Sequence, residues 1–344
     1  MGATTEFFIF IAALGMKLLI ICIVVLSAWS AYGQTVTVRG ILINQKSEAP
    51  IGYANIGIVD TPVGTISNED GTFEIDIPEK FQERELLFSA LGFERRSFLV
   101  RNLKENENVI TLQEHVTVLQ NLTVKSSRSR PALIAELGNQ YSNEGSIYAD
   151  SSAAGSAMAL LIERRPSGKY PGLKPPYHVT KARLRIAHNT FEVFKIRLRF
   201  LSVDSVTGMP GNDLVNQNII ATSEMRKGWL DFDLTRHDIR IKVPQFFIVF
   251  EWLLEDQDRV MLVEQYAEFR RQYPRRVTVD TLQMDGQKIA YNSWRGFRAG
   301  TSFGSSSAKY SLENYKTYYR TNSYGKWKRS SFILAAQVTL ANYD

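Results

Sequence analysis

The chain has almost no cysteine. Its one cysteine, Cys22, lies inside an apolar run near the N-terminus of the 344 residues. The remainder therefore has neither disulfides nor a thiolate to serve as nucleophile or metal ligand. Such a chain must draw its stability from buried core, and it is long enough for two domains. Histidine is also scarce. His115, His178, His188 and His237 are scattered, and none has the i, i+4 partner of a helical zinc site. No metal centre and no cofactor are expected. Charge of one sign is not dominant: 41 basic against 35 acidic side chains leave a net +6. That excess permits attraction to anionic glycans or lipid headgroups without requiring it.

Long apolar runs are absent except at the N-terminus. Residues 7–14 form a first run without a basic flank. A second starts at Met16-Lys17, continues over 18–26, and is followed by Ala31-Tyr32-Gly33. A short basic region, an apolar run and small residues at the −3 and −1 positions form a secretory signal. The pattern predicts that residues 1–33 are a signal peptide, with Met16 as the true start, and that the protein is exported to the periplasm, outer membrane or cell surface. The rival reading is a retained anchor, because the chain is nearly all apolar from Phe7 to Trp29, enough to span ~30 Å of hydrocarbon.

What the sequence does have is β-pattern. Gly64-Thr65-Ile66-Ser67-Asn68-Glu69-Asp70-Gly71 is a polar turn that opens into strict alternation, with Phe73, Ile75 and Ile77 on one side and Thr72, Glu74 and Asp76 on the other. Ala54, Ile56 and Ile58 alternate likewise. Residues 86–93 read as a buried strand ending in a Gly turn at Gly92. These residues, with Pro50 and the Gly-Thr-x-Ser-Asn-x-x-Gly-x-Phe core, resemble the carboxypeptidase-regulatory-like domain, a transthyretin-like β-sandwich common in exported proteins of Bacteroidota. The resemblance covers about residues 36–125. In that family the domain often precedes the plug and barrel of outer-membrane transporters. Too little chain follows here for such a barrel, so a second sandwich is expected in its place. The family implies no catalytic residues.

The expected organisation is all-β: a carboxypeptidase-regulatory-like sandwich over 34–125, a polar linker over 126–156, and a larger jelly-roll-like sandwich over 157–344. In the second module Ala182, Leu184 and Ile186 alternate with Lys181, Arg183 and Arg185, and Phe194, Ile196, Leu198 and Phe200 alternate with Lys195, Arg197 and Arg199. Residues 245–254 are almost wholly apolar, as in a strand buried on both faces. One helix is expected over 259–273, where Leu262, Tyr266 and Phe269 fall at i, i+4 and i+7.

Chemistry is sparse. Gly300-Thr301-Ser302-Phe303-Gly304 matches a nucleophile elbow, but its flanks read as a Gly/Ser loop and no histidine follows it. Asn68-Glu69-Asp70-Gly71 resembles part of a calcium loop without its closing Glu and reads as a turn. Two surface features are candidates for ligand binding. If the 180–186 and 194–200 strands pair as a hairpin, six cations, among them Arg183, Arg185, Arg197 and Arg199, crowd one outer face. Either Asp231 and Asp233 neutralise them or an anionic partner does. On the solvated-face reading, Arg183→Ala and Arg197→Ala leave folding nearly intact. The second feature is aromatic: Tyr310, Tyr315, Tyr318, Tyr319, Tyr324 and Trp327 cluster with lysines and arginines, either as packed strand faces or as exposed rings for stacking on sugars. The leading expectation is a non-enzymatic envelope protein that binds or scaffolds a glycan, an anionic envelope component or an outer-membrane protein partner, with no role in nucleic-acid binding. The alternative is an envelope hydrolase, esterase or glycan-active, with its site in the C-terminal domain. N-terminal sequencing of the protein from an envelope fraction should begin at Gln34; residues upstream of Met16 in that sequence would refute the signal assignment.

Overall fold

The computed structural model describes residues 35–115, 133–140, 146–148, 154–163, 170–284, 287–294, 297, 299–307 and 315–343. The proposed signal segment, the Ser/Arg stretch at 126–131 and Tyr310 lie outside the described residues. Among the described residues no helix is long and apolar enough to cross a membrane.

Among the described residues seven strands build the first domain: β1 (Thr35–Asn44), β2 (Asn55–Gly57), β3 (Gly64–Ile66), β4 (Thr72–Pro78), β5 (Glu85–Ser89), β6 (Arg96–Leu99) and β7 (Asn108–Leu112). One sheet runs β4-β1-β7 and the other β3-β2-β5-β6. The alternation in β4 does what its pattern dictates. Phe73, Ile75 and Ile77 turn inward onto Val38, Leu42, Leu86 and Phe88, while Glu74 meets Arg39 at 2.8 Å on the wet face. The turn before β4 is closed by its own polar groups. Asp70 Oδ1 accepts from the Thr72 amide at 3.0 Å and the Thr72 hydroxyl at 2.6 Å, and these bonds hold its carboxyl below the usual range. Gly71 takes φ +82°, and a Cβ there would lie 2.6 Å from the Leu42 carbonyl.

The second domain contains β8 (Leu133–Asn139), β9 (Ser146–Tyr148), β10 (Ala157–Glu163), β11 (Tyr177–Asn189), β12 (Phe194–Val203), β13 (Pro210–Asp213), β14 (Ile219–Ser223), β15 (Gly228–Asp233), β16 (Ile239–Ile241), β17 (Gln245–Trp252), α1 (Asp256–Gln272), β18 (Val277–Met284), β19 (Gln287–Trp294), β20 (Thr301–Ser307), β21 (Thr317–Arg320), β22 (Lys328–Arg329), β23 (Phe332–Leu334) and β24 (Ala336–Asn342). One sheet runs β13-β12-β17-β10-β21-β22 with β14 on β12. The other runs β23-β20-β11-β24-β8, with β15 and β16 on β11 and β9 on β20. The expected all-β, two-sandwich architecture is the observed one. Between the large sheets Ile196, Leu198 and Phe200 meet Ala182, Leu184, Ile186, Ile248 and Phe250. Trp252 of one sheet stacks on Phe303 of the other, centroids 3.6 Å apart, and its indole N–H donates to the Thr301 carbonyl at 2.8 Å. Helix α1 starts three residues before the expected position, at a capping box of Glu255 and Asp258, and buries Leu262 against this core.

Three expectations need correction. The 126–156 linker is too long: β8 pairs with β24 along its whole length, from Ala336↔Asn139 to Asn342↔Leu133, and β9 pairs with β20. The second sandwich therefore includes Leu133–Asn139, because this alternating stretch finds an edge to complete. Gly300–Gly304 is not a loop. Thr301 to Gly304 belong to buried β20, and the Ser302 hydroxyl is fully buried and donates to the His188 carbonyl at 3.2 Å. Strands β11 and β12 do not form a hairpin in one sheet. They lie in opposite sheets, so their cations point to opposite sides of the sandwich.

Ile196 is completely buried, so Ile196→Asp should lose ~3 kcal/mol or more through an unpaired carboxylate in an apolar core, measured by urea denaturation.

Candidate functional site

The alternation in β12 and β17 gives each strand a second face that points away from the large core. At Lys195 and Arg197 that face is covered by the first sandwich, while Leu201, Phe247 and Val249 pack with Ala157, Ala159 and Leu161 of the second. Lys195 Nζ reaches Glu255 at 2.6 Å, Glu69 at 2.9 Å and the Tyr53 hydroxyl at 2.6 Å. Burial opposes its charge, but these three partners outweigh burial and raise its pKa. Tyr53 holds φ +58°, and its carbonyl accepts from Arg197 Nη2. Asn68 and Asp256 exchange two hydrogen bonds, at 2.9 and 3.1 Å, and Arg259 donates to Thr65 at 2.8 Å. Beside Glu255, burial and that neighbouring carboxylate push Asp258 up to about 6, against the Glu255 amide. The favourable contribution of its neutral form is complete below its ordinary value and is lost as pH rises through about 6.

At the centre of this seam is Glu251, completely buried. Its Oε2 lies 3.4 Å from Arg199 Nη1, 3.6 Å from Arg320 Nη2 and 3.8 Å from Arg197 Nη1. Arg199 also grips Asp213 through Nε and Nη2 at 2.9 and 2.7 Å, a bidentate pair. Three buried guanidiniums therefore share two carboxylates. Burial lowers Arg197 and pulls Arg320 down to about 10, with Glu251 opposing both shifts. For Arg199 burial is outweighed by Asp213 and Glu251, and its pKa rises. Gly155 makes room for the cluster: it takes φ +78°, and a Cβ there would lie 2.0 Å from Ser323 Oγ and 3.2 Å from Glu251 Oε1.

Next to the cluster the seam opens into a cleft of about 310 Å³. The first sandwich contributes Asn55, the Ser89–Phe93 turn, Arg95 and His115; the second contributes Arg199, Asp213, Asn216 and Arg320. Its wall is braced by the loop after β21. Ser323 Oγ donates to Asn55 Oδ1 at 3.0 Å, Asn322 to the Thr61 carbonyl at 3.0 Å, and the Tyr324 hydroxyl to Ser89 Oγ at 2.7 Å. Burial pushes the Tyr324 hydroxyl up to about 12.

The structure separates the residues the sequence grouped. Arg183 pairs with Asp231 at 3.1 Å, as does Lys181 at 2.9 Å, and Arg183 and Arg185 lie over the Trp229 ring at 4.8 and 6.0 Å. Asp231 thus pairs with two of the three cations of the β11 face, while Asp233 bonds to Thr235. Arg197 and Arg199 belong to the seam, so Arg197 is not on a solvated face and Arg197→Ala removes cross-domain bonds. The aromatic cluster is divided between two apolar clusters, with Tyr318 and Trp327 packed on one and Tyr319 on the other. Tyr318 packs edge-on to Phe247 at 5.6 Å, Tyr319 packs against the large core, and Trp327 lies under Arg320 at 4.9 Å. They do not form one platform. Sequence reasoning missed Glu251, Asp213 and Arg95, and counted Arg320 only among the arginines beside the aromatic cluster. Glu251 had a signal: one carboxylate inside a run read as buried on both faces demands cationic partners. Arg320 and Arg95 had none, because strand pairing and domain docking bring them there.

Glu251→Gln leaves three buried guanidiniums with only Asp213 and should destabilise by about 3–5 kcal/mol. Arg183→Ala, on the wet face, should stay within about 0.5 kcal/mol. Chemical denaturation of the two variants side by side tests the contrast.

A search of curated proteins finds no match to the chain. Residues 38–124 match the family model of the CarboxypepD_reg-like domain, over the strands that form the first sandwich and about a quarter of the chain. The first sandwich is a CarboxypepD_reg-like domain, docked through a charged seam onto a second sandwich.

Proposed function

We propose that this protein is an exported, non-catalytic component of the cell envelope, in the periplasm or at the outer membrane, that binds a glycan in the cleft between its two sandwiches. A CarboxypepD_reg-like β-sandwich fits a regulatory or binding module. The observation that carries the reading is the cleft itself: both domains contribute walls, and the lining is rich in amides and hydroxyls such as Asn55, Ser89, Asn216 and Ser323. Convergent polar groups in a concave site of a few hundred Å³ are what small-ligand recognition uses, and they match the hydroxyls of a sugar. The sealed hydroxyl of Ser302 in β20 supports binding over acyl transfer at that serine.

The test is purified protein on an envelope-glycan array, with ester and glycoside turnover assayed in parallel. Retention without turnover is expected. Leu91→Trp, at the rim of the cleft, should abolish retention without lowering the melting temperature. Turnover that vanishes in Ser302→Ala or His237→Ala would establish a hydrolase instead.

A further inference from the structure

The charges around the cleft narrow the class of ligand, on the reading that the cleft is a binding site. Among the described residues Arg197, Arg199 and Arg320 are paired with Glu251 and Asp213 alone, so there the cluster carries one positive charge more than its carboxylates cancel. Arg197 and Arg320 share the surplus, and of these two Arg320 is the one that lines the cleft. Arg199 is saturated by its bidentate hold on Asp213 and its bond to Glu251. Arg197 donates to the Tyr53 carbonyl and to Asn55. Arg320, 9% exposed, lines the cleft. Its Nε and Nη2 make no hydrogen bond among the described residues, and Nη2 is beyond hydrogen-bond reach of Glu251 at 3.6 Å. Both atoms are buried. Shielded from bulk water, the charge acts on the cleft through a medium of low dielectric. Exposed Arg95 adds a second cation at the rim.

We propose that the cleft takes a sugar acid: a single carboxylate, drawn by the field of Arg320, Arg199 and Arg95, on a polyhydroxylated ring that the cleft's amides and hydroxyls hold. One carboxylate brings the buried cluster to neutrality. The Nε and Nη2 atoms of Arg320 are sealed from the cleft, so Arg320 acts through its charge, and exposed Arg95 is the cation that can donate directly to a carboxylate. The rest of the lining combines the apolar Leu91, Phe93 and Leu201 and the Arg199-bound Asp213 with amides and hydroxyls that suit a ring's own hydroxyls. Arg320→Gln achieves the same neutrality without ligand, so it should fold with a melting temperature no lower than that of the parent, unlike Glu251→Gln.

Isothermal titration of the purified protein with glucuronate, glucose and inorganic phosphate tests this. Glucuronate should bind at least tenfold more tightly than glucose, and more weakly at high salt. Arg320→Gln should weaken glucuronate binding at least tenfold. Arg95→Gln, an exposed change that leaves the fold untouched, should weaken it severalfold. Equal binding of glucose and glucuronate, or parental affinity in both variants, overturns the proposal. Phosphate binding as tightly as glucuronate overturns the sugar acid and leaves a bare anion site. If glucuronate fails to bind while Leu91→Trp still abolishes glycan retention, this inference falls and the binding function stands.

Discussion

A strand buried on both faces must place any charge it carries against opposite charge, and β17 carries one. Phe246, Ile248, Phe250 and Trp252 fill the core between the two large sheets. The alternate residues Phe247, Val249 and Glu251 point the other way. An unpaired carboxylate there would be prohibitively costly, so other strands of the same sheet supply guanidiniums: Arg197 and Arg199 from adjacent β12 and Arg320 from β21, one strand further on the other side. Those guanidiniums in turn need acceptors and cover. The first sandwich provides both, through the Tyr53 carbonyl, the Asn55 amide oxygen and the surface of β2 and β3.

That demand explains the first domain's unusual burial. All residues of β2 and β3 are buried although the strands lie in a small sandwich. One face meets their own core, and the other meets the second domain. Tyr53 and Ile66 pack with Ala154 and Leu253 in an apolar patch beside the ion cluster. The N-terminal turn of α1 and the loop after β21 clasp the first sandwich from two sides. The cleft lies where this clasp leaves a gap, so its lining mixes residues far apart in sequence, and its charge is inherited from the cluster beside it.

A cluster of three cations and two anions is also a poor way to gain stability. Buried ion pairs repay desolvation only when geometry and hydrogen bonding are complete, and Arg320 is incomplete. A charge kept in that condition at the wall of a polar cleft fits a site whose balance is restored by a ligand.

Much of the fold was legible from period alone. Phe73, Ile75 and Ile77 in β4, Ile196, Leu198 and Phe200 in β12, and the doubly buried 246–252 run all lie where alternation puts them, because a pleated strand has only two faces and apolar side chains choose the dry one. The Asn68–Gly71 turn was equally local, since its closing bonds come from residues two to four positions apart. What the sequence by itself determined, then, was which face of each strand is apolar and where the chain must turn. Only the tertiary structure decided what covers the opposite face. The same Arg-x-Arg alternation is wet and paired to Asp231 in β11, yet dry and paired to Glu251 and Asp213 in β12. Period encodes a side chain's direction relative to its own strand; whether a second domain lies there depends on docking between residues more than a hundred positions apart, which leaves no mark in local pattern.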